Sequence, residues 1–313
     1  MGLSVFPVPT AASGLSVGRF PAASNMPFNI PAGLSLQNTV TSTTTFTAGQ
    51  LPAQVWAVIV GAGGAGGSNG STSANGGGGG GGVVIGWVDV PSTGITATIG
   101  AGGVTASSNG GRGGTTIFGT VFANGGGGGC GNGNAQLDTG TAVPIHGDGV
   151  PGYGGNAATP VFPNTNKILT LPCGAPWGNN KGNWSQASGS STVTSVSNLL
   201  NVRQHNYLGG GAGAWSADAP WGNTGGSGFT AGGGASSGNG GGSFRDGGIT
   251  ATFAGGTGAG GGGSGGGAGF LAAGSSGSGT TGGNGGSGGG GGGAGFGASQ
   301  AGNGGAGCVL IYY

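Results

Sequence analysis

Runs of consecutive glycine constrain this chain more than any other feature: Gly76 to Gly82 is unbroken, and similar stretches recur toward the C-terminus. A segment without side chains has no hydrophobic face, so neither the 3.6-residue nor the two-residue pattern folds it. Fixing one residue's backbone costs about 1–2 kcal/mol, and glycine loses the most freedom. One hydrogen bond returns a net of about 0.5–1.5 kcal/mol. An isolated glycine strand therefore does not stay ordered. A bundle does, because each interior strand bonds to several neighbours. Polyproline-II strands without side chains approach closely enough for that, with Cα–H···O contacts adding a little. The sequence thus predicts a mainly β chain with an extended polyglycine-II bundle clamped by β-strands, and almost no helix.

Two other glycine-rich architectures fail. Collagen needs glycine at every third position and abundant proline. Here 92 of 313 residues are Gly, but they come in runs, and Pro numbers only 14. A Gly/Ser linker would lack the apolar stretches that interrupt these runs.

Only 4% of residues are charged, against about a quarter in ordinary domains. The net charge is +1, from Arg19, Arg112, Lys167, Lys181, Arg203 and Arg245 against five Asp. That is no electrostatic footprint for nucleic acid or an anionic membrane. The Gly-Gly-Arg-Gly-Gly around Arg112 occurs once rather than as a repeated tract. Cys130, Cys173 and Cys308 are too far apart for a zinc spacing and odd in number for a disulfide framework. No secretory signal or myristoylation pattern opens the sequence, and no apolar run has the length to span a bilayer.

Four units follow along the chain. Residues 1–45 carry scattered Phe6, Phe20, Phe28 and Ile30 without a period of their own. Two readings stand for them, an attachment arm that orders against a partner and a disordered leader. Residues 46–129 form the β-strand and glycine-rich body. Val55 to Val60 is an apolar run suited to a strand buried on both faces, and Val83 to Val90 follows a glycine run. Ile95 to Ile99 alternates, with one face buried and one polar. Thr115 to Ala123 is β-branched and aromatic, with Gly119 at the position of a bulge. Residues 130–225 form a Trp-rich insertion in which only 193–202 has helical spacing. Residues 226–313 return to polyglycine-II character, with Phe229, Phe244, Phe253, Phe270 and Phe296 as surface wedges. They end in a strand, Cys308 to Tyr313, able to pair with Val55 to Val60.

Catalytic and cofactor motifs do not assemble. Gly61-Ala-Gly63-Gly-Ala-Gly66 matches the dinucleotide fingerprint, but that fingerprint needs a helix starting at its third glycine. Gly67-Ser-Asn-Gly and a seven-glycine run cannot start one. His146 and Asp148 are two ligands where a metal site needs at least three. Asp138, Asp148 and Asp218 share the insertion, yet nothing marks a paired acid and base. The expectation is a protein that is not an enzyme and has no cofactor or metal.

Binding character is concentrated in the insertion. It holds four of the six Trp and both His. Tyr153, Trp177, Trp184, Tyr207, Trp215 and Trp221 are the candidate receptor-binding residues, because flat aromatic faces among Asn, Gly and Ser suit sugar rings and interface hot spots. The competing reading makes the same Trp a local core. Ala175-Pro-Trp-Gly-Asn179 recurs as Ala219-Pro-Trp-Gly-Asn223, which is turn chemistry and favours display on loops.

Thr43-Thr-Thr-Phe-Thr47, Val55-Trp-Ala-Val-Ile-Val-Gly-Ala-Gly-Gly-Ala-Gly-Gly67, Ile99-Gly-Ala-Gly-Gly103, Gly113-Gly-Thr-Thr-Ile-Phe118 and Gly304-Gly-Ala-Gly-Cys-Val-Leu-Ile-Tyr-Tyr313 resemble the glycine-rich domain of phage tail fibres and minor tail proteins. The resemblance runs from about residue 41 to 313. It implies a virion location on the tail or capsid exterior, a polyglycine-II sandwich like that of T-even-like tip adhesins, and receptor-binding loops between glycine runs. The implied partners are other virion proteins through residues 1–45 and a host cell-surface glycan or protein. A homo-oligomer such as a trimer is expected, with no nucleic acid and no membrane insertion. The alternatives are a capsid decoration or head-fibre protein without receptor binding, and an ice-binding polyglycine-II protein. The long flat face of spaced Thr or Ala that an ice binder needs is not evident in the sequence.

Overall fold

Val55 to Val60 has an apolar residue at every position, and such a strand needs cover on both sides. The structure, a computed structural model, supplies both covers. It describes residues 30–68, 75–105, 109–129, 168–170, 225, 229–235, 239–243, 253–259, 262–295 and 300–313. Two antiparallel sheets are present, and among the described residues there is no helix.

The first sheet has five strands: β1 (Leu36–Val40), β9 (Cys308–Tyr312), β3 (Gln54–Val60), β4 (Val83–Asp89) and β8 (Ile168–Thr170), in that spatial order. The C-terminal strand pairs with β3 as the sequence suggested, from Trp56 opposite Tyr312 to Val60 opposite Cys308. On its other side β3 pairs with β4, ending with Val60 opposite Val83. The second sheet has four strands: β2 (Thr44–Thr47), β5 (Gly94–Thr98), β6 (Thr116–Phe118) and β7 (Val121–Ala123). As its alternation predicts, β5 buries Ile95 and Ala97 and exposes Thr96 and Thr98.

The two-residue period of β3 divides its side chains between two cores. Val55, Ala57 and Ile59 join Val84, Val88, Val309 and Ile311 against Ile95, Ala97, Phe118, Val121 and Ala123 of the second sheet. Val58 and Val60 face the other way, with Val83, Ile85, Leu310 and Tyr312, and meet Phe229 and Phe270.

Three expectations are corrected here. Phe229 and Phe270 are not surface wedges: both are buried, because the second face of the five-stranded sheet needs apolar cover and the glycine runs have little else to offer. Phe253 is half-buried and its backbone pairs with Ser243; Phe244 and Phe296 lie outside the described residues. Gly119 is not a bulge. Phe118 pairs with Val121, so Gly119 and Thr120 form the turn of a hairpin, and Gly119 takes the left-handed φ of +63° that a tight turn favours. Residues 36–40, within the expected arm, form β1 and pair with β9, since β9 would otherwise leave one edge open. Within the 130–225 segment, β8 extends the five-stranded sheet beside β4. The helical spacing at 193–202 falls outside the described residues.

Phe270 tests the second core. Phe270→Ala should lower stability by about 3–5 kcal/mol, as for large buried aromatics. Val104→Ala, at a side chain 66% exposed, should change it by less than about 0.5 kcal/mol. Denaturant midpoints of the two variants check this; equal midpoints would mean Phe270 is not a core residue.

Candidate interaction region

Three strands of the first sheet continue directly into glycine segments. β3 leads into 61–67, 76–82 leads into β4, and 301–307 leads into β9. In the second sheet, 99–103 follows β5, 110–115 precedes β6 and 124–129 follows β7. The glycine segments therefore inherit the neighbours that the strands have chosen.

Segment 61–67 shows the resulting geometry. The N–H groups of Gly61, Gly64 and Gly67 donate to the carbonyls of Gly82, Gly79 and Gly76 at 2.8, 2.9 and 2.8 Å. Those of Ala62 and Ala65 donate to Gly114 and Gly111 at 3.1 and 2.9 Å, and those of Gly63 and Gly66 to Gly305 and Gly302 at 2.8 and 2.9 Å. Every third donor thus addresses the same neighbour, which is the pattern of three residues per turn. The carbonyls reach three further segments. Ala62 and Ala65 accept from Gly126 and Gly129, Gly64 and Gly67 from Gly291 and Ala294, and Gly63 from Gly103. One glycine segment is hydrogen-bonded to six others.

Glycine is needed in this segment for space rather than for backbone freedom. None of its glycines has a left-handed φ. A Cβ on Gly61, Gly63, Gly64 or Gly66 would instead fall on the carbonyl oxygen of Asn124, Gly289, Gly127 or Gly292. Ala62 and Ala65 are fully buried and take the two positions of the segment where a methyl group is accommodated. The same arrangement accounts for the fingerprint-like Gly61 to Gly66. The N–H groups that would hold a pyrophosphate in a dinucleotide site all donate to neighbouring carbonyls.

The pairing also orders the ends of the array. Gly61, Gly82, Gly114 and Asn124 lie next to the sheets. Gly67, Gly76, Gly110, Gly129 and Ala294 lie at the opposite end, as the hydrogen bonds between them require. The chain leaves the described array from that opposite end toward 69–74, 106–108, 130 onward and 296–299. The Trp-rich insertion thus departs where the array is farthest from the sheets, and touches the body again through β8.

The candidate receptor-binding residues Tyr153, Trp177, Trp184, Tyr207, Trp215 and Trp221 all lie outside the described residues, as do His146 and Asp148. The other two Trp are described. Trp56 and Trp87 face each other across β3 and β4 with ring centroids 5.6 Å apart, edge to face, at the border of the second core. Among the described residues no three His, Cys, Asp or Glu side chains group to hold a metal ion. No helix among them is long and apolar enough to cross a membrane. Sequence reasoning missed β8; the apolar Ile168-Leu-Thr-Leu171 was the available signal, but three paired residues are too few to separate from a loop.

Residues 38–313 match the family described as a glycine-rich domain. The chain belongs to that family. The match begins within β1 and ends at the last residue, so it takes in both sheets and the whole array. No curated protein matches the chain.

The steric argument separates two kinds of glycine. Gly64→Ala should destabilise the domain by about 3 kcal/mol, because the neighbouring backbone must move. Gly279 has a φ of +56° and open space around its Cβ position. Gly279→Ala should cost only about 1–2 kcal/mol, the penalty of a left-handed alanine. Urea midpoints that ranked the two in the reverse order would contradict the crowding argument.

Proposed function

We propose that this chain is a structural virion protein of a bacteriophage, a tail fibre or minor tail protein with a receptor-binding role. In this reading the glycine array is a polyglycine-II scaffold, supported by its three-residue hydrogen-bond period and six-neighbour packing. The protein acts by binding and assembly rather than by catalysis. The observation that carries the reading is the division of the chain. The glycine runs have almost no side chains able to recognise anything, whereas four of the six Trp, both His and three of the five Asp lie in the 130–225 insertion. That insertion leaves the scaffold at the end opposite the sheets. A rigid support joined to an aromatic-bearing connection is a layout that suits an adhesin. The ligand proposed is a cell-surface glycan or protein of the host, and the location is the virion exterior. Homo-oligomerisation belongs to the same proposal.

Trp177→Ala and Trp221→Ala test the receptor-binding role. If either side chain is a hot spot, its loss weakens adsorption to host cells by about 2 kcal/mol or more with the melting temperature unchanged. Normal adsorption with lowered melting temperature in both variants would make these residues core and the binding reading of this segment wrong.

Residues 1–29 are proposed to attach the chain to another virion protein or another copy of itself. Their apolar residues lack a period of their own, so their cover must come from a partner. The test deletion must stop before β1, whose removal would expose β9. Deleting residues 1–29 should leave the glycine-rich body folded and abolish incorporation into particles. Particles containing the truncated chain at the normal level would refute the attachment role.

A further inference from the structure

Asn239, Asn284 and Asn303 are exposed, and each is followed by glycine. An Asn–Gly step is prone to deamidation because glycine has no Cβ to shield its nitrogen. The glycine backbone nitrogen attacks Asn Cγ. The N–Cγ bond forms and the Cγ–Nδ2 bond breaks. The proton from the attacking nitrogen leaves with the side-chain amine as ammonia, and a succinimide remains. Water then opens the ring to aspartate or isoaspartate. The product adds a negative charge, and isoaspartate also lengthens the backbone by one carbon. Neither change suits an array whose neighbouring backbones are one hydrogen bond apart.

In all three steps both reacting groups are engaged. The attacking nitrogens are those of Gly240, Gly285 and Gly304. Their N–H groups donate to the carbonyls of Gly256, Asn303 and Gly103 at 2.8, 2.9 and 2.9 Å. The side-chain carbonyls are engaged as well. Asn239 Oδ1 accepts from the Gly258 N–H at 2.9 Å, and Asn284 Oδ1 from the Asn303 N–H at 2.9 Å. Asn303 Oδ1 accepts from both the N–H and the hydroxyl of Thr105, at 3.0 and 2.8 Å. Each carboxamide is therefore tied to the adjacent segment, which limits its rotation toward the nitrogen that would attack it. Ser276 Oγ plays the same part for the Thr257 N–H at 3.2 Å. These polar side chains end the array at its surface by taking outward-facing N–H groups that have no further segment to meet.

We propose that the glycine array suppresses deamidation at Asn239, Asn284 and Asn303, which thereby act as edge caps, and that modification at these sites reports opening of the array. The full chain is incubated at mildly alkaline pH, folded and in concentrated urea, and peptides are mapped by mass spectrometry for aspartate and isoaspartate. All three sites should convert at least about tenfold more slowly in the folded chain, since reaction has to await local opening. Equal rates folded and unfolded would overturn the proposal. Thr105→Pro adds a local test, because it removes both hydrogen bonds to Asn303 Oδ1. In that variant Asn303 should deamidate faster while Asn239, on a separate edge, keeps its rate. An unchanged rate at Asn303 would show that the side-chain anchor contributes nothing to protection.

Discussion

Everything in this fold depends on how closely the glycine backbones approach one another. At Gly61, Gly63, Gly64 and Gly66 the space a Cβ would fill is already taken by a carbonyl oxygen of another segment. That closeness lets a single segment bond six neighbours, and only such a multiplicity offsets the entropy of ordering glycine. An added methyl group there crowds a neighbouring backbone and so acts on more than one segment.

Close packing alone does not choose a register. A glycine run slid by three residues presents the same backbone again, so the runs cannot align themselves. The sheets supply the alignment. Val60 lies opposite Val83, and the next hydrogen bond in line joins Gly61 to Gly82. Val60 also lies opposite Cys308, and the following bond on that side joins Gly63 to Gly305. Strands that bury alternate side chains in two different cores cannot slip by one residue without sending each set into the core shaped for the other. The side-chain pattern of β3, β4 and β9 is thereby passed to segments that have no pattern. Phe229 and Phe270 act in the opposite direction, returning from glycine-rich segments to cover the sheet.

This division also explains what could be read from the sequence. Val55 to Val60, Ile95 to Ile99 and the C-terminal strand were legible because side-chain periodicity is the signal that folds them. Gly119 was placed in a strand because the Thr116–Phe118 and Val121–Ala123 strands on either side are too short to stand apart. The depth of Phe270 was not legible, since flanking glycines do not say which face a lone aromatic meets. Which glycine segments are neighbours was not legible either, because the runs are interchangeable as text. The candidate Trp and Tyr side chains rest on composition and turn chemistry alone. They lie outside the described residues, so the structure bears on them only through the anchors at Gly129, β8 and Gly225.

The same physics bears on where a protein of this kind has room to vary. Array glycines such as Gly61, Gly63, Gly64 and Gly66 have no freedom to change, because the Cβ position belongs to another backbone. The strands have little, because β3 and β9 are covered on both faces. Loop closure grows costlier only slowly with length, so a connection that leaves the array opposite the sheets can be long at little cost. A connection as long as 130–225, which pairs with the sheet through β8, is compatible with an otherwise fixed scaffold. If recognition is the role of this chain, as proposed, then specificity changes by exchange of these connections while the glycine array stays as it is. The scarcity of charge in the array fits that separation: a scaffold stabilised by backbone hydrogen bonds and two small apolar cores needs no ion pairs.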